Sequence, residues 1–258
     1  MPTVRIIACL DVAGGNVVKG ENFGNLRDMG NPVDLALLHS EAGADEITLL
    51  DIEATIQKRG AILELVSSCA EQLMIPLTVG GGVDSVDAVG SLLQAGADKV
   101  SIGSAAVSDP DLLKRIATEF GSQLTVASLD IRRGSTKSGF ELTTHGGRNR
   151  TDFDAITWIG RLEQLGVGEV LLNSIDADGT RRGFDLPLIA AARAATPLPL
   201  VASGGAGEPE HFVTATRAGA DALLAASIFH SGLVSIAEVK SCLAQAGFEV
   251  RRVDRQIA

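Results

Sequence analysis

Eight short apolar runs punctuate the chain: VRIIACLD (4–11), EITLLD (46–51), PLTVG (76–80), DKVSIG (98–103), QLTVASLD (123–130), EVLLNS (169–174), PLVASG (199–204) and DALLAAS (221–227). They are continuous rather than alternating, the pattern of parallel strands buried on both faces. Amphipathic stretches such as PVDLALLHSEAG, RGAILELVSSCAEQL, DPDLLKRIATEFG and EPEHFVTATRAG lie between them, with no linker and no break in composition. Strand and helix alternating eight times predict an α/β fold, a (β/α)8 TIM barrel; a doubly wound sheet seldom needs eight such regular units. A length of 258 residues suits one barrel domain spanning 1–258. The Ala-Gly tags at 42–43, 95–96 and 218–219 read as helix C-caps leading into the next strand.

The chain also repeats itself. ACLDV at 8–12 returns as ASLDI at 127–131, TVGGGV at 78–83 as ASGGAG at 202–207, and SIGSAAV at 101–107 as AASIFHS at 225–231. Strands one to four therefore resemble strands five to eight, as two half-barrels of about 1–122 and 123–258. The duplication places Asp11 and Asp130 at the carboxyl ends of the first and fifth strands, on opposite sides of one barrel mouth, where barrel active sites are built.

Composition narrows the function. Aromatic residues make up only 3%, with no Tyr and one Trp, so the core is aliphatic. A net charge of −10 argues against general binding to nucleic acid or an anionic membrane, both of which use broad positive surfaces. Three distant cysteines without CxxC spacing suit free thiols in a reducing cytoplasm rather than a disulfide framework or a structural zinc site. The amino terminus lacks the apolar core of a signal peptide, and no run reaches membrane-spanning length. The four histidines (39, 145, 211 and 230) show no HxxxH or HExxH spacing, so neither a metal nor a cofactor is expected.

Three constellations carry chemistry. Asp11 and Asp130, paired by the repeat, suit general acid–base work in which one carboxyl gives a proton and the other takes one. The glycine clusters at 80–82 with 103–104, and at 203–205 with 225–227, let backbone N–H groups approach phosphate oxygens closely. Two such sites related by the repeat imply a ligand with a phosphate at each end. The stretch GGNVVKGENFGNLRDMGNP (14–32), which contains Lys19, is long for a strand-to-helix connection and reads as a loop acting as a lid.

The chain resembles the cyclase subunit of imidazole glycerol phosphate synthase, from histidine biosynthesis. The likeness runs nearly end to end, through RIIACLDV (5–12), VVKGENFGNLRD (17–28), TVGGGV (78–83), GADKVSIGSAAV (96–107), SIDADGT (174–180), ASGGAG (202–207), EHF (210–212) and AGADALLAASIFH (218–230). The KGxNFxxLRD stretch separates this family from its barrel relative, the isomerase one step earlier in the pathway. The resemblance implies a phosphoribulosyl formimino nucleotide substrate with two phosphates. Ammonia from a glutaminase partner cleaves it to imidazole glycerol phosphate and aminoimidazole carboxamide ribotide. Asp11 and Asp130 fall on the family's acid–base pair, Gly82, Gly103 and Ser104 on one phosphate site, and Asp178, Gly179, Gly205, Ala226 and Ser227 on the other. Lys19 matches the lysine of the mobile loop.

At the opposite end, Arg5, Glu46, Lys99 and Glu169 open the first, second, fourth and sixth strands, two positive and two negative residues able to close into a ring. In the family this position resembles the gate through which ammonia enters the barrel core from a glutaminase docked on the amino-terminal face. Asp98 is placed to join that contact, making a heterodimer. Four positions depart from the family pattern: Gly103 for the usual Asn, Asn173 for Thr, Asn16 for Arg, and Glu21 beside Lys19. These bear on substrate affinity rather than reaction class. Two other readings stand beside the cyclase, the sugar isomerase and a non-catalytic barrel that binds a phosphorylated metabolite. Dependence on nitrogen separates the first, and turnover by the isolated chain excludes the second.

Overall fold

The computed structural model describes residues 3–21, 24–52 and 63–252, with the backbone course alone over 19–21 and 24–27. The described residues form twelve strands, β1 (Arg5–Ala13), β2 (Asn16–Glu21), β3 (Gly24–Gly30), β4 (Glu46–Asp51), β5 (Leu77–Gly80), β6 (Lys99–Ile102), β7 (Thr125–Arg133), β8 (Phe140–Thr144), β9 (Asn149–Asp154), β10 (Glu169–Ser174), β11 (Leu200–Ser203) and β12 (Ala222–Ala225). Eight of them run parallel in the order β1-β4-β5-β6-β7-β10-β11-β12, and β12 pairs again with β1, so the sheet closes into a barrel. These eight are the eight apolar runs.

Because each barrel strand is buried on both faces, alternate residues feed two separate cores. Ile6, Ala8, Leu10 and Val12 of β1 point outward and pack with Ala36, Val66, Val89, Leu112 and other residues of the surrounding helices. Ile7 and Cys9 point inward and meet Val126, Leu171, Val201 and Leu224 inside the barrel. The middle of the lumen is lopsided: β4, β5 and β6 supply the buried hydroxyls of Thr48, Thr78 and Ser101, while β1, β7, β10, β11 and β12 supply Ile7, Cys9, Val126, Leu171, Val201 and Leu224.

The helices are α1 (Pro32–Glu41), α2 (Leu63–Gln72), α3 (Val86–Gln94), α4 (Ser104–Ser108), α5 (Asp111–Phe120), α6 (Ala155–Ile159), α7 (Leu186–Ala195), α8 (Pro209–Arg217), α9 (Ser227–His230) and α10 (Ile236–Gln245). Their starts use short polar caps. Asn31 accepts from the Val33 and Asp34 N–H groups ahead of α1, and Ser235 forms a capping box with Glu238 ahead of α10. The Gly-Ala-Asp tags after α1, α3 and α8 do more than end helices. Asp45 accepts from the Ile6 N–H at 2.8 Å, Asp98 from Leu77 at 2.8 Å and Asp221 from Leu200 at 2.9 Å. Each aspartate thus caps a first or second N–H of the preceding barrel strand, locking neighbouring strand starts together.

The segment 14–32 differs from the loop expected. Gly14 and Gly15, with φ of 59° and 88°, make a two-residue turn between the paired residues Ala13 and Asn16, and the chain doubles back as β2 and β3. Two consecutive positive φ values suit a tight hairpin turn, which a GGN sequence signals. Asn16 donates to Asp28 at 2.6 Å across this hairpin. A second hairpin, β8–β9, extends β7 in the same way, so the first and fifth barrel strands each carry one.

Candidate active site

The carboxyl ends of the barrel strands surround a cavity of about 1060 Å³. Asp11 and Asp130 both line it. They lie on β1 and β7, four places apart either way around the eight-strand ring, and so face each other across the mouth. Asp11 is buried, with Cys9 Sγ 3.6 Å from its Oδ1. Asp130 accepts from Asn173 Nδ2 at 2.9 Å, and the Gly146 N–H donates to its carboxylate. Burial pushes the Asp130 carboxyl above its ordinary value, against these two bonds, which favour the charged form.

Gly82, Gly103 and Ser104 sit on one side of this cavity, and Asp178, Gly179, Gly205, Ala226 and Ser227 on the other. Gly103 and Ala226 are equivalent positions, each preceding a short helix whose start carries no side-chain cap. Gly81 and Gly204 are equivalent too, each just beyond its strand, with φ of 100° and 93°. Any Cβ there would sit 2.2 Å from the Asp51 carbonyl oxygen or 2.7 Å from that of Ser174. Only glycine lets these loops pass so closely. The side chain of Lys19 lies outside the described residues, as does that of Glu21.

The second hairpin supplies a wall that the sequence reading missed. Its turn lines the cavity with Thr144, His145, Gly146 and Arg148, and Phe153 follows on β9. His145 takes φ of 57°, and its N–H donates to Ser104 Oγ at 2.9 Å, joining this turn to a glycine-cluster residue. Phe153 is half exposed and stacks on Trp158 with centroids 6.2 Å apart. The available signal was THGGRN at 144–149 between two strand-like segments.

At the amino-terminal end, Arg5, Glu46, Lys99 and Glu169 close into a ring. Arg5 contacts Glu46 at 2.8 Å and also Glu169, while Lys99 Nζ reaches Glu46 at 2.9 Å and Glu169 at 2.8 Å. Thr78 Oγ1 donates to the other oxygen of Glu46 at 2.6 Å. Burial works against the charge on Glu169, but Arg5 and Lys99 outweigh it and hold the carboxyl below its ordinary range. Burial likewise opposes the charge on Arg5, and its two glutamates outweigh it. Asp98 is exposed beside the ring while its carboxylate caps β5. No group of three or more His, Cys, Asp or Glu side chains that could hold a metal occurs among the described residues.

Fold and cavity together define an enzyme of the parallel (β/α)8-barrel class. The sequence profile of the histidine biosynthesis protein family matches residues 5–235, and the chain belongs to that family. Curated relatives named imidazole glycerol phosphate synthase subunit HisF align almost completely. That of Clavibacter michiganensis subsp. michiganensis is 59% identical over 96% of this chain and 95% of its own. The relative from Thermobifida fusca is 57% identical over 96% of this chain and 98% of its own, and that from Leifsonia xyli subsp. xyli is 56% identical over the same shares.

Proposed function

We propose that the chain is the cyclase subunit of imidazole glycerol phosphate synthase, a lyase of histidine biosynthesis, with Asp11 and Asp130 as its acid–base pair. The observation that carries this reading is the opposition of these two carboxylates across one cavity, between glycine clusters related by the internal repeat. The substrate is a phosphoribulosyl formimino aminoimidazole carboxamide ribotide. One phosphate rests against Gly82, Gly103 and Ser104, the other against Gly179, Gly205, Ala226 and Ser227 beside Asp178. Backbone N–H groups at the uncapped starts of α4 and α9 supply donors for these anions. An extended ligand anchored at both ends is held with its middle between the two carboxyls, which is the positioning that acid–base chemistry needs. Lys19, on β2, is the further substrate-binding residue of this reading.

Ammonia must lose a proton as it forms its new bonds, and the oxygen or nitrogen it displaces must gain one. Two carboxyls on opposite sides can do both within one bound complex. Burial raises the Asp130 carboxyl above its ordinary value, which makes it a better proton acceptor than an exposed carboxylate.

Ammonia comes from a glutaminase subunit docked on the amino-terminal face, forming a heterodimer in the cytoplasm. The relatives' names describe a subunit, in keeping with such a partner. Met74, 96% exposed in the connection entering β5, and the exposed Asp98 offer that face a mixed apolar and acidic contact. The ring of Arg5, Glu46, Lys99 and Glu169 is the gate. Beyond it the half-apolar lumen passes neutral ammonia and rejects ammonium, whose desolvation is costly. The deciding assay is the purified chain with the bis-phosphorylated nucleotide and ammonium salt. Formation of imidazole glycerol phosphate supports the cyclase; isomerised product without nitrogen uptake, or no turnover, refutes it.

A further inference from the structure

Asn173 and Asp130 are register partners on β10 and β7. Asn173 Nδ2 donates to Asp130 Oδ1 at 2.9 Å, and Ser203 Oγ on β11 donates to Asn173 Oδ1 at 3.4 Å. Three adjacent strands thus carry a file of polar side chains ending at the carboxylate. The ends of the Asn173 amide are fixed by what they face. An ionised carboxylate accepts only, so the NH2 must turn to Asp130, and the carbonyl left over suits a hydroxyl donor. The backbone of Asp130 is held as well, its carbonyl accepting from Thr143 Oγ1 at 2.8 Å.

We propose that Asn173 is a positioning residue for Asp130, aiming its carboxylate across the cavity and stabilising its charged form through the Nδ2 hydrogen bond. This rests on the reading of Asp130 as one of the acid–base pair. The other groups facing Asp130 are the Gly146 N–H and Arg148 from the turn between β8 and β9, which favour its charge, and Asp178 from the turn after β10, which opposes it. Gly146 contributes through backbone and Arg148 through its charge alone, so Asn173 is the side chain that bonds the carboxylate in this set. A donor to a buried carboxylate is a strong hydrogen bond, and losing it disfavours the ionised state.

The test compares Asn173→Leu, close in shape but without a donor, with the natural chain. The Asp130 carboxyl is titrated by carbon-13 NMR, and kcat and KM are followed against pH with ammonium as nitrogen source. The carboxyl should titrate about one unit higher in the variant, from the size of a charge-assisted hydrogen bond. The kcat profile should move to higher pH in step, with KM nearly unchanged. Asn173→Ser, which keeps a shorter donor, should fall between, and serves if the leucine variant does not fold. An unmoved titration overturns the proposal, and so does a rise in KM at constant kcat, which would make Asn173 a substrate contact. Asp130→Asn separates the two readings. If it stays fully active, the role of Asp130 itself fails; if it is inactive while Asn173→Leu titrates normally, only the role of Asn173 fails.

Discussion

His39 on α1 and His230 on α9 share a hydrogen bond, with Nε2 of the first 2.8 Å from Nδ1 of the second. His230 passes the contact on, its Nε2 lying 2.9 Å from the carbonyl oxygen of Cys9 on β1. Two imidazoles at this distance cannot both carry charge cheaply. Burial, aided by His230, lowers His39 from 6.5 to about 4. Its folded pKa is therefore depressed, so between about pH 6.5 and 4 the unfolded chain binds more protons at this site. The stabilisation from keeping His39 neutral is complete above 6.5 and is lost as the pH falls towards 4, up to roughly 3 kcal/mol. Urea unfolding at several pH values should show this loss in the natural chain, and His39→Gln should flatten the slope over that interval. Parallel slopes would remove His39 as its source.

Asp11→Asn and Asp130→Asn should each leave the barrel folded and cut turnover with ammonium by about 10²–10⁴-fold. Asparagine keeps the size of aspartate but neither takes nor gives the proton. Circular dichroism and thermal unfolding check the fold, and steady-state kinetics check the loss. Full activity in both variants with unchanged substrate binding would sink the acid–base assignment.

The barrel strands were legible because burial on both faces leaves a continuous apolar run, and Asp11 and Asp130 stood out because the repeat marks their positions. Arg5, Glu46, Lys99 and Glu169 were visible as charges at strand starts, since side chains of neighbouring strands at one depth must meet inside a closed barrel. The hairpins were harder to read. Turn pairs such as Gly14–Gly15 carry the signal, and the short strands beside them resemble loop sequence. The bond from Asn173 to Asp130 was out of reach, because it depends on the register of β10 against β7, which no local pattern reveals. The same holds for Asp45, Asp98 and Asp221. Each ends a helix tag in plain sight, yet the N–H it caps belongs to a strand fixed only by the order of the sheet.

Crystals grown in sulfate or phosphate should hold two anions at the carboxyl-terminal mouth, one near Gly82 and Ser104 and one near Gly205 and Ser227. The duplicated glycine loops predict equal geometry at both, so one occupied site should have its counterpart at the related position. Anions bound only at the amino-terminal face, or at neither loop, would contradict the two-phosphate substrate.

Lys99 is the residue whose removal tests the amino-terminal gate. Its ammonium spans Glu46 and Glu169, and Arg5 spans the same pair, so the four side chains close the floor beneath the lumen. In Lys99→Ala the two buried glutamates keep Arg5 as their cation, and the stability lost should be on the order of 1–3 kcal/mol, less than for an unpaired buried charge. The opened floor should admit water and let ammonia escape before it reaches Asp11 and Asp130. Turnover with glutamine and the glutaminase partner should therefore fall more than turnover with free ammonium, which can enter from the cavity side. The comparison is the ratio of the two rates for the variant against the same ratio for the natural chain. A ratio that stays the same, whether both rates fall together or neither moves, would leave the ring as a structural floor and end the gate reading.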